Sequence, residues 1–173
     1  MNQWDATSLI TCAKFQVEGR LVLDYVLDVA GIVITQEVKH ETVDAGLIGG
    51  YPDAAMIQAK IDSGHIEVCD VQQMNHSFEE VLDLYGLQDG DKAVVRLSLQ
   101  AADVEATVTD DRLLFVVLTR CGRKVLFLPD FVEQTVAQGV FSVATGQKLL
   151  QAIRPRLPQG FVEHSLRRLE GVI

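Results

Sequence analysis

The 173-residue chain contains no apolar run approaching the ~20 residues that a membrane-spanning helix needs. Its N-terminus also lacks the basic stretch followed by an apolar one that marks a secretory signal. The expectation is a cytoplasmic protein with no membrane partner. Cysteine is sparse: Cys12, Cys69 and Cys121 are odd in number, far apart and without CxxC spacing. That pattern argues against a disulfide framework or a zinc knuckle, and each is expected as a buried, reduced thiol. The histidines, His40, His65, His76 and His164, lack metal-ligand spacing and read as surface or capping residues. No GxGxxG follows a strand pattern, so dinucleotide binding has no support, and "GLIGGYPD" reads as a loop. There is no internal repeat, no low-complexity tract and no long linker.

Basic residues are outnumbered, 15 Lys and Arg against 24 Asp and Glu, for a formal net charge of −9. Nucleic-acid affinity comes from phosphate neutralisation, so an acidic protein does not bind RNA by bulk charge. The charge is unevenly spread, however. Residues 1–111 carry 20 acids and 6 bases, a balance of −14, whereas residues 112–173 carry 4 and 9, a balance of +5. Such asymmetry reads either as an acidic site facing a basic surface or as two differently solvated faces. Arg112, Arg120, Arg123 and Lys124 form a local basic cluster, read either as contacts for an RNA backbone or as a solvated helix face.

With 48% hydrophobic and 23% charged residues, the chain is a folded globular protein long enough for one full core. Short β-branched runs alternate with helical spacing. Residues 1–4, "GIVIT" (31–35), "HIEVC" (65–69), "EATVT" (105–109) and "KVLFL" (124–128) read as strands. Residues 9–27, 36–44, 54–63, 77–85, 91–102 and 111–121 read as helices. Strands separated by helices imply right-handed crossovers and a covered parallel sheet. The expected fold is α/β: a three-layer α/β/α sandwich around a five-stranded, mostly parallel sheet. From Phe131 onward "FVEQTVAQG", "SVATGQKLLQAI" and "GFVEHSLRRLEG" are helical. The expected organisation is a domain over residues 1–130 with a helical extension of that same domain over 131–173.

On this frame several carboxylates fall at one edge of the sheet. Asp5 ends the first strand, Glu41 follows the second, Asp91 opens a helix, and Asp110 and Asp111 end the fourth strand. Open α/β sheets bind ligands at that edge. Each acid alone has a plain explanation as a helix cap, a first-turn residue or a surface residue. Together they need something to offset their repulsion. A divalent cation does so, and oxygen-only ligation suits Mg²⁺ or Mn²⁺. The chemistry open to such a site is phosphodiester hydrolysis.

Four stretches, in order, resemble the motifs of the PIN-domain family, which includes ribonuclease toxins of toxin–antitoxin pairs. They are "WDATSLI", "VITQEVKHE", "LQDGDKAVVRLSLQA" and "ATVTDDRLL". The resemblance covers roughly residues 2–130 and extends more loosely into "GQKLLQAI" and "GFVEHSLRRL". It implies that Asp5, Glu41, Asp91 and Asp111 are the catalytic and metal-holding acids, with Thr7 orienting Asp5. It further implies single-stranded RNA as substrate, an antitoxin protein as partner and a homodimer; the apolar positions in 9–27 and 54–63 read either as its face or, as is commoner for a stripe at helical spacing, as core. The chain departs from the family at the polar Asn2 and Gln3, at Thr35 where a proline is usual, and at Asp91 where Glu is more common.

Side chains alternate along a strand, so Asp110 and Asp111 start out pointing apart. The family's T-x-D pattern selects Asp111 for the site and leaves Asp110 as the helix N-cap. Competing readings are a PIN-like module that no longer cleaves and serves as an interaction or RNA-binding module, and a haloacid-type phosphatase. The latter would want an acid at position 7, where Thr7 stands. A response-regulator receiver would need a lysine closing the last strand, and "LFLPD" has none.

Overall fold

The computed structural model describes residues 1–173. Five strands, β1 (Asn2–Trp4), β4 (Ile32–Thr35), β5 (Ile66–Cys69), β6 (Ala106–Val108) and β7 (Val125–Leu126), form one sheet in the order β5-β4-β1-β6-β7. Every pairing in it is parallel, so the sheet is wholly rather than mostly parallel. Helices cover both faces in a three-layer α/β/α sandwich. The chain leaves β1 toward β4 and β5 by way of α1 (Ala6–Lys14), α2 (Val22–Leu27) and α5 (Pro52–Asp62). It then crosses back over the sheet to β6 by way of α6 (His76–Leu84) and α7 (Asp89–Gln100), and on to β7 by α8 (Arg112–Arg120). With right-handed crossovers the two groups lie on opposite faces. The direction of travel reverses between β1 and β6, which makes their carboxyl ends the switch point where such sheets bind ligands.

Strand alternation sorts the side chains of β1. Trp4 is fully buried and meets Phe131 edge to face at 5.4 Å. Gln3 points the other way and is also fully buried. Its amide donates to the Val94 carbonyl of α7 at 2.8 Å and accepts from the Thr107 hydroxyl at 3.3 Å. A glutamine in the central strand therefore satisfies its polar atoms internally, which is why the polar start of this strand is compatible with a core position.

Several boundaries differ from those read off the sequence. Residues 9–27 are not one helix: α1 stops at Lys14, and β2 (Gln16–Val17) and β3 (Arg20–Leu21) form a small antiparallel hairpin before α2. Its turn is Glu18-Gly19, with positive φ at both residues (53° and 77°), the geometry that matches a two-residue turn to strand twist. The helix from Gln36 runs past Asp44 to Ile48, through α3 (Gln36–Lys39), a π-helical turn over His40–Asp44 and α4 (Ala45–Ile48). Five of the eight residues of "GLIGGYPD" are therefore helical, three ending α4 and two opening α5. The apolar stripe of 9–27 is core, with Leu9, Cys12, Val22 and Leu23 fully buried. In 54–63 Ala54 and Ile57 are buried as well, and Met56 is exposed. Cys12 is buried as expected, while Cys69 and Cys121 are partly exposed.

The tail forms α9 (Leu128–Ala137), α10 (Val143–Ile153), a 3₁₀ turn (Arg154–Arg156) and α11 (Gln159–Leu169). A division at residue 130 falls inside α9. Phe131, Leu149, Ile153 and Val162 belong to the same continuous core as Trp4 and Ile34. No helix of the chain is long and apolar enough to cross a membrane.

Replacing Gln3 with alanine removes a buried side chain and strands the Thr107 hydroxyl. Gln3→Ala is expected to lower stability by about 2–4 kcal/mol, and Gln3→Leu, which keeps the volume, by about 1 kcal/mol. Urea unfolding at unchanged m-value checks both.

Candidate active site

Each acid of the cleft is positioned by a local element. Asp5 follows β1 with extended backbone (φ −82°, ψ 169°) and is the N-cap of α1, its Oδ1 accepting from the Ser8 N–H at 2.8 Å. Its Oδ2 accepts from the Thr109 hydroxyl at 2.6 Å, and the side chain is only 3% exposed. Asp111 is the N-cap of α8, accepting from the Leu114 N–H at 2.8 Å. Thr109 ties the two together, because its hydroxyl also accepts from the Asp111 N–H at 3.0 Å. Asp91 lies in the first turn of α7, where the N-terminal dipole favours a carboxylate. Glu41 sits in the π-helical turn, a widening of the helix often found at functional sites.

These four carboxylates line one cleft of about 270 Å³ at the carboxyl edge of the sheet, together with Ala6, Thr7, Val38, Gln88, Gly90 and Val94. The sequence motifs thus bring residues from positions 5 to 111 to one place. Glu41 lies flush on the backbone of α7: a Cβ built on Gly90 would stand 2.1 Å from Glu41 Oε1. Glycine at position 90 is what lets the two segments approach this closely.

The electrostatics are those of crowded negative charge in a partly desolvated place. Burial pushes the Asp5 carboxyl up from an ordinary 3.8 to about 7, against the pull of hydrogen bonds from Thr109 and Ser8 and with a further push from Asp110. Glu41 is raised by burial and by the charge of Asp91, and Asp91 by burial and by the charge of Asp111. Glu41, Asp91 and Asp111 therefore form a chain of mutually repelling groups. In donor chemistry they fit a hard divalent cation, being oxygen ligands whose repulsion a cation relieves. No three acidic, histidine or cysteine side chains stand close enough to make a complete ligand set. A hard ion held by only one or two carboxylates keeps several of its waters.

The supporting residues differ from expectation. Thr7 is exposed at the rim of the cleft, and its backbone carbonyl accepts from Thr11. The groups that orient Asp5 are Ser8 and Thr109. Asp110 is not the cap of α8, since Asp111 holds that role itself. Asp110 instead accepts from the Ser8 hydroxyl at 3.1 Å and from the Leu128 N–H at 3.2 Å, fastening α1 to the start of α9. Burial raises its carboxyl as well, with those hydrogen bonds and the charge of Arg156 opposing the rise. Of the two adjacent acids, Asp111 both lines the cleft and caps the helix. Ser8 and Thr109 carried a signal in the sequence, as hydroxyls within three residues of an aspartate in two of the motifs.

The basic cluster does not hold together. Arg112 begins α8 beside Asp111, but the nine residues of that helix rise roughly 13 Å toward the opposite edge of the sheet. Arg120 ends the helix there, Arg123 donates to the Val104 carbonyl at 3.4 Å ahead of β6, and Lys124 lines a separate cavity with Met1 and Glu105. Only Arg112 of the four is placed near the acids.

No family model matches the chain, and neither the curated proteins nor the solved structures include a significant match.

Two outcomes test this geometry. A carboxyl whose pKa is higher in the folded state favours folding when protonated, so its contribution declines as pH rises from about 3.8 to about 7. In chelator, Asp5→Asn is expected to melt above the parent at pH 8, with the gap closing toward pH 4; thermal melts across that window check it. Gly90→Ala drives the flexible end of Glu41 away without removing its charge. It is expected to leave melting nearly unchanged and to weaken divalent-cation affinity roughly tenfold or more, by calorimetry.

Proposed function

We propose that this chain is a divalent-metal-dependent endoribonuclease that hydrolyses phosphodiester bonds of single-stranded RNA in the acidic cleft. The observation that carries the proposal is the meeting of Asp5, Glu41, Asp91 and Asp111, from four separate segments, in one cleft at the switch point of a parallel sheet. The resemblance of the four motifs to those of PIN-domain proteins supports RNA as the substrate class. It extends the proposal to a toxin held in check by an antitoxin. Three unpaired cysteines favour a reducing compartment, the cytoplasm, as the place of action.

Bound Mg²⁺ or Mn²⁺ would supply a water of lowered pKa and offset charge on the phosphate. One or two of Asp91, Asp111 and Glu41 would hold the ion directly, and the other acids of the cleft, Asp5 among them, would meet it through its waters. Thr109 and Ser8 fix Asp5 in one rotamer, so no reorganisation of that carboxylate is needed at the moment of reaction. With its pKa near 7, Asp5 would favour a cation only once deprotonated, so metal affinity is expected to rise with pH through that value. Arg112, next to Asp111, is the base placed to meet the RNA backbone.

Purified protein incubated with single-stranded RNA is expected to cleave in Mg²⁺ or Mn²⁺ and not in excess chelator. Asp111→Asn keeps the cap, because asparagine caps as well as aspartate, but loses the charge. It is expected to melt like the parent and to cleave slower by orders of magnitude. Asp110→Asn is expected to retain cleavage and to lose stability by about 1 kcal/mol from a weakened acceptor at Leu128. Chelator-insensitive cleavage, or no heat of Mg²⁺ or Mn²⁺ binding at millimolar concentration, overturns the proposal; equal loss in the two variants reassigns Asp110 to the metal.

A further inference from the structure

Beside the acidic cleft, at the same edge of the sheet, lies a groove that this chemistry does not use. Three phenyl rings from three segments form a column. Phe115 of α8 and Phe127 at the β7–α9 junction stack at 4.4 Å with 2° between their planes. Phe127 and Phe161 of α11 stack at 4.8 Å and 29°. All three rings remain partly exposed. In the interior, by contrast, Trp4 meets Phe131 at 74° and Tyr25 meets Phe141 at 77°. Edge-to-face pairs close a core, whereas a parallel column at the surface presents flat apolar faces. This one opens into a groove of about 580 Å³, whose other walls are Arg112, Asp130, Pro158, Gly160 and His164.

The walls select the occupant. The Arg112 guanidinium lies over the Phe161 ring, 5.6 Å from its centre, one residue along the chain from Asp111 of the cleft. Asp130 contributes a carboxylate to the same groove. A bare anion would satisfy Arg112 and be repelled by Asp130. An aliphatic side chain would cover the rings and leave both charges unpaired. A flat ring edged with N–H donors and joined to a phosphate matches the rings, the acceptor and the cation together.

We infer that the Phe115–Phe127–Phe161 groove holds an unpaired nucleobase of the RNA, stacked against Phe161 beside the Arg112 guanidinium, with Arg112 turned to the adjoining phosphate. The inference rests on the ribonuclease reading of the neighbouring cleft and adds to it a base-stacking subsite that fixes the strand beside the cutting point. Every base has a π-face, so stacking alone favours single-stranded over paired RNA without selecting a sequence. Base pairs present no free face to the rings, and the cleft then discriminates by strandedness.

Two measurements test this. The first is fluorescence anisotropy of a short labelled single-stranded RNA in Mg²⁺, with Asp5→Asn as background so that the RNA stays intact. Adding Phe161→Ala is expected to weaken binding about tenfold, and Phe161→Trp to restore it. The second uses NMR on the otherwise unaltered protein. Adenosine monophosphate is expected to shift the amides of Gly160, Phe161 and His164, and ribose 5-phosphate to leave them in place. If Phe161→Ala binds RNA like its background, or if the two small ligands shift the amides equally, the base subsite is overturned while cleavage in the acidic cleft stands. No RNA binding by the background protein overturns the subsite and the ribonuclease reading together. A dimer that Phe161→Ala dissociates at unchanged RNA affinity overturns the subsite in favour of a second copy of the chain.

Discussion

A carboxylate with 3% of its surface exposed must find its hydrogen bonds inside the protein, and Asp5 finds them on two neighbouring elements. The Ser8 N–H comes from the helix that Asp5 itself starts, and the Thr109 hydroxyl from the end of β6. The same hydroxyl receives the Asp111 N–H, so one threonine couples the carboxyl ends of β1 and β6. Asp110 adds the other half of the junction by linking Ser8 to the start of α9. Helix starts α1, α8 and α9 are thus stitched together by short side chains around a single buried charge. That charge is tolerated because donors face it and because the dipole of α1 points at it, though burial still dominates and raises its pKa.

The sheet and its acidic edge were legible in the sequence because both leave local signatures. Runs such as "GIVIT" alternate with helical spacing, and each acid sits beside a strand end or a helix start. The hairpin at Gln16–Leu21 was not, because Leu9, Val22, Leu23 and Val26 keep a helix-like rhythm across it while a single Glu18-Gly19 turn redirects the chain. The choice between Thr7 and Ser8 as the residue orienting Asp5 depends on cap geometry: the N-cap carboxylate reaches the N–H three residues on, which is Ser8. Arg112, Arg120, Arg123 and Lys124 looked clustered because they are close along the chain, yet a helix separates the first from the rest by its own length. The column of Phe115, Phe127 and Phe161 leaves no local trace at all, since its members are far apart in sequence.

Glu41 shows how a site can be tuned by backbone rather than by the ligand residue. Its position depends on the extra residue that the π-helical turn accommodates and on the absence of a side chain at Gly90. Thr35, where a proline would have opened the helix, caps it instead, with its hydroxyl accepting from the Val38 N–H at 3.2 Å. The start of this helix is therefore made by a side-chain cap.

The central strand precedes both of its sheet neighbours in the chain. β1 pairs with β4 on one side, but its other neighbour, β6, begins only at Ala106. The amino terminus itself is held by the Asp103 carbonyl and the Glu105 carboxylate, more than a hundred residues away along the chain. Contacts at such separation close large loops and form late. During translation the growing polypeptide therefore carries half of the crevice and lacks the other half until Thr109 and Asp111 have left the ribosome. A nascent chain interrupted before that point cannot assemble the four-acid cleft, whatever its earlier segments have already folded into.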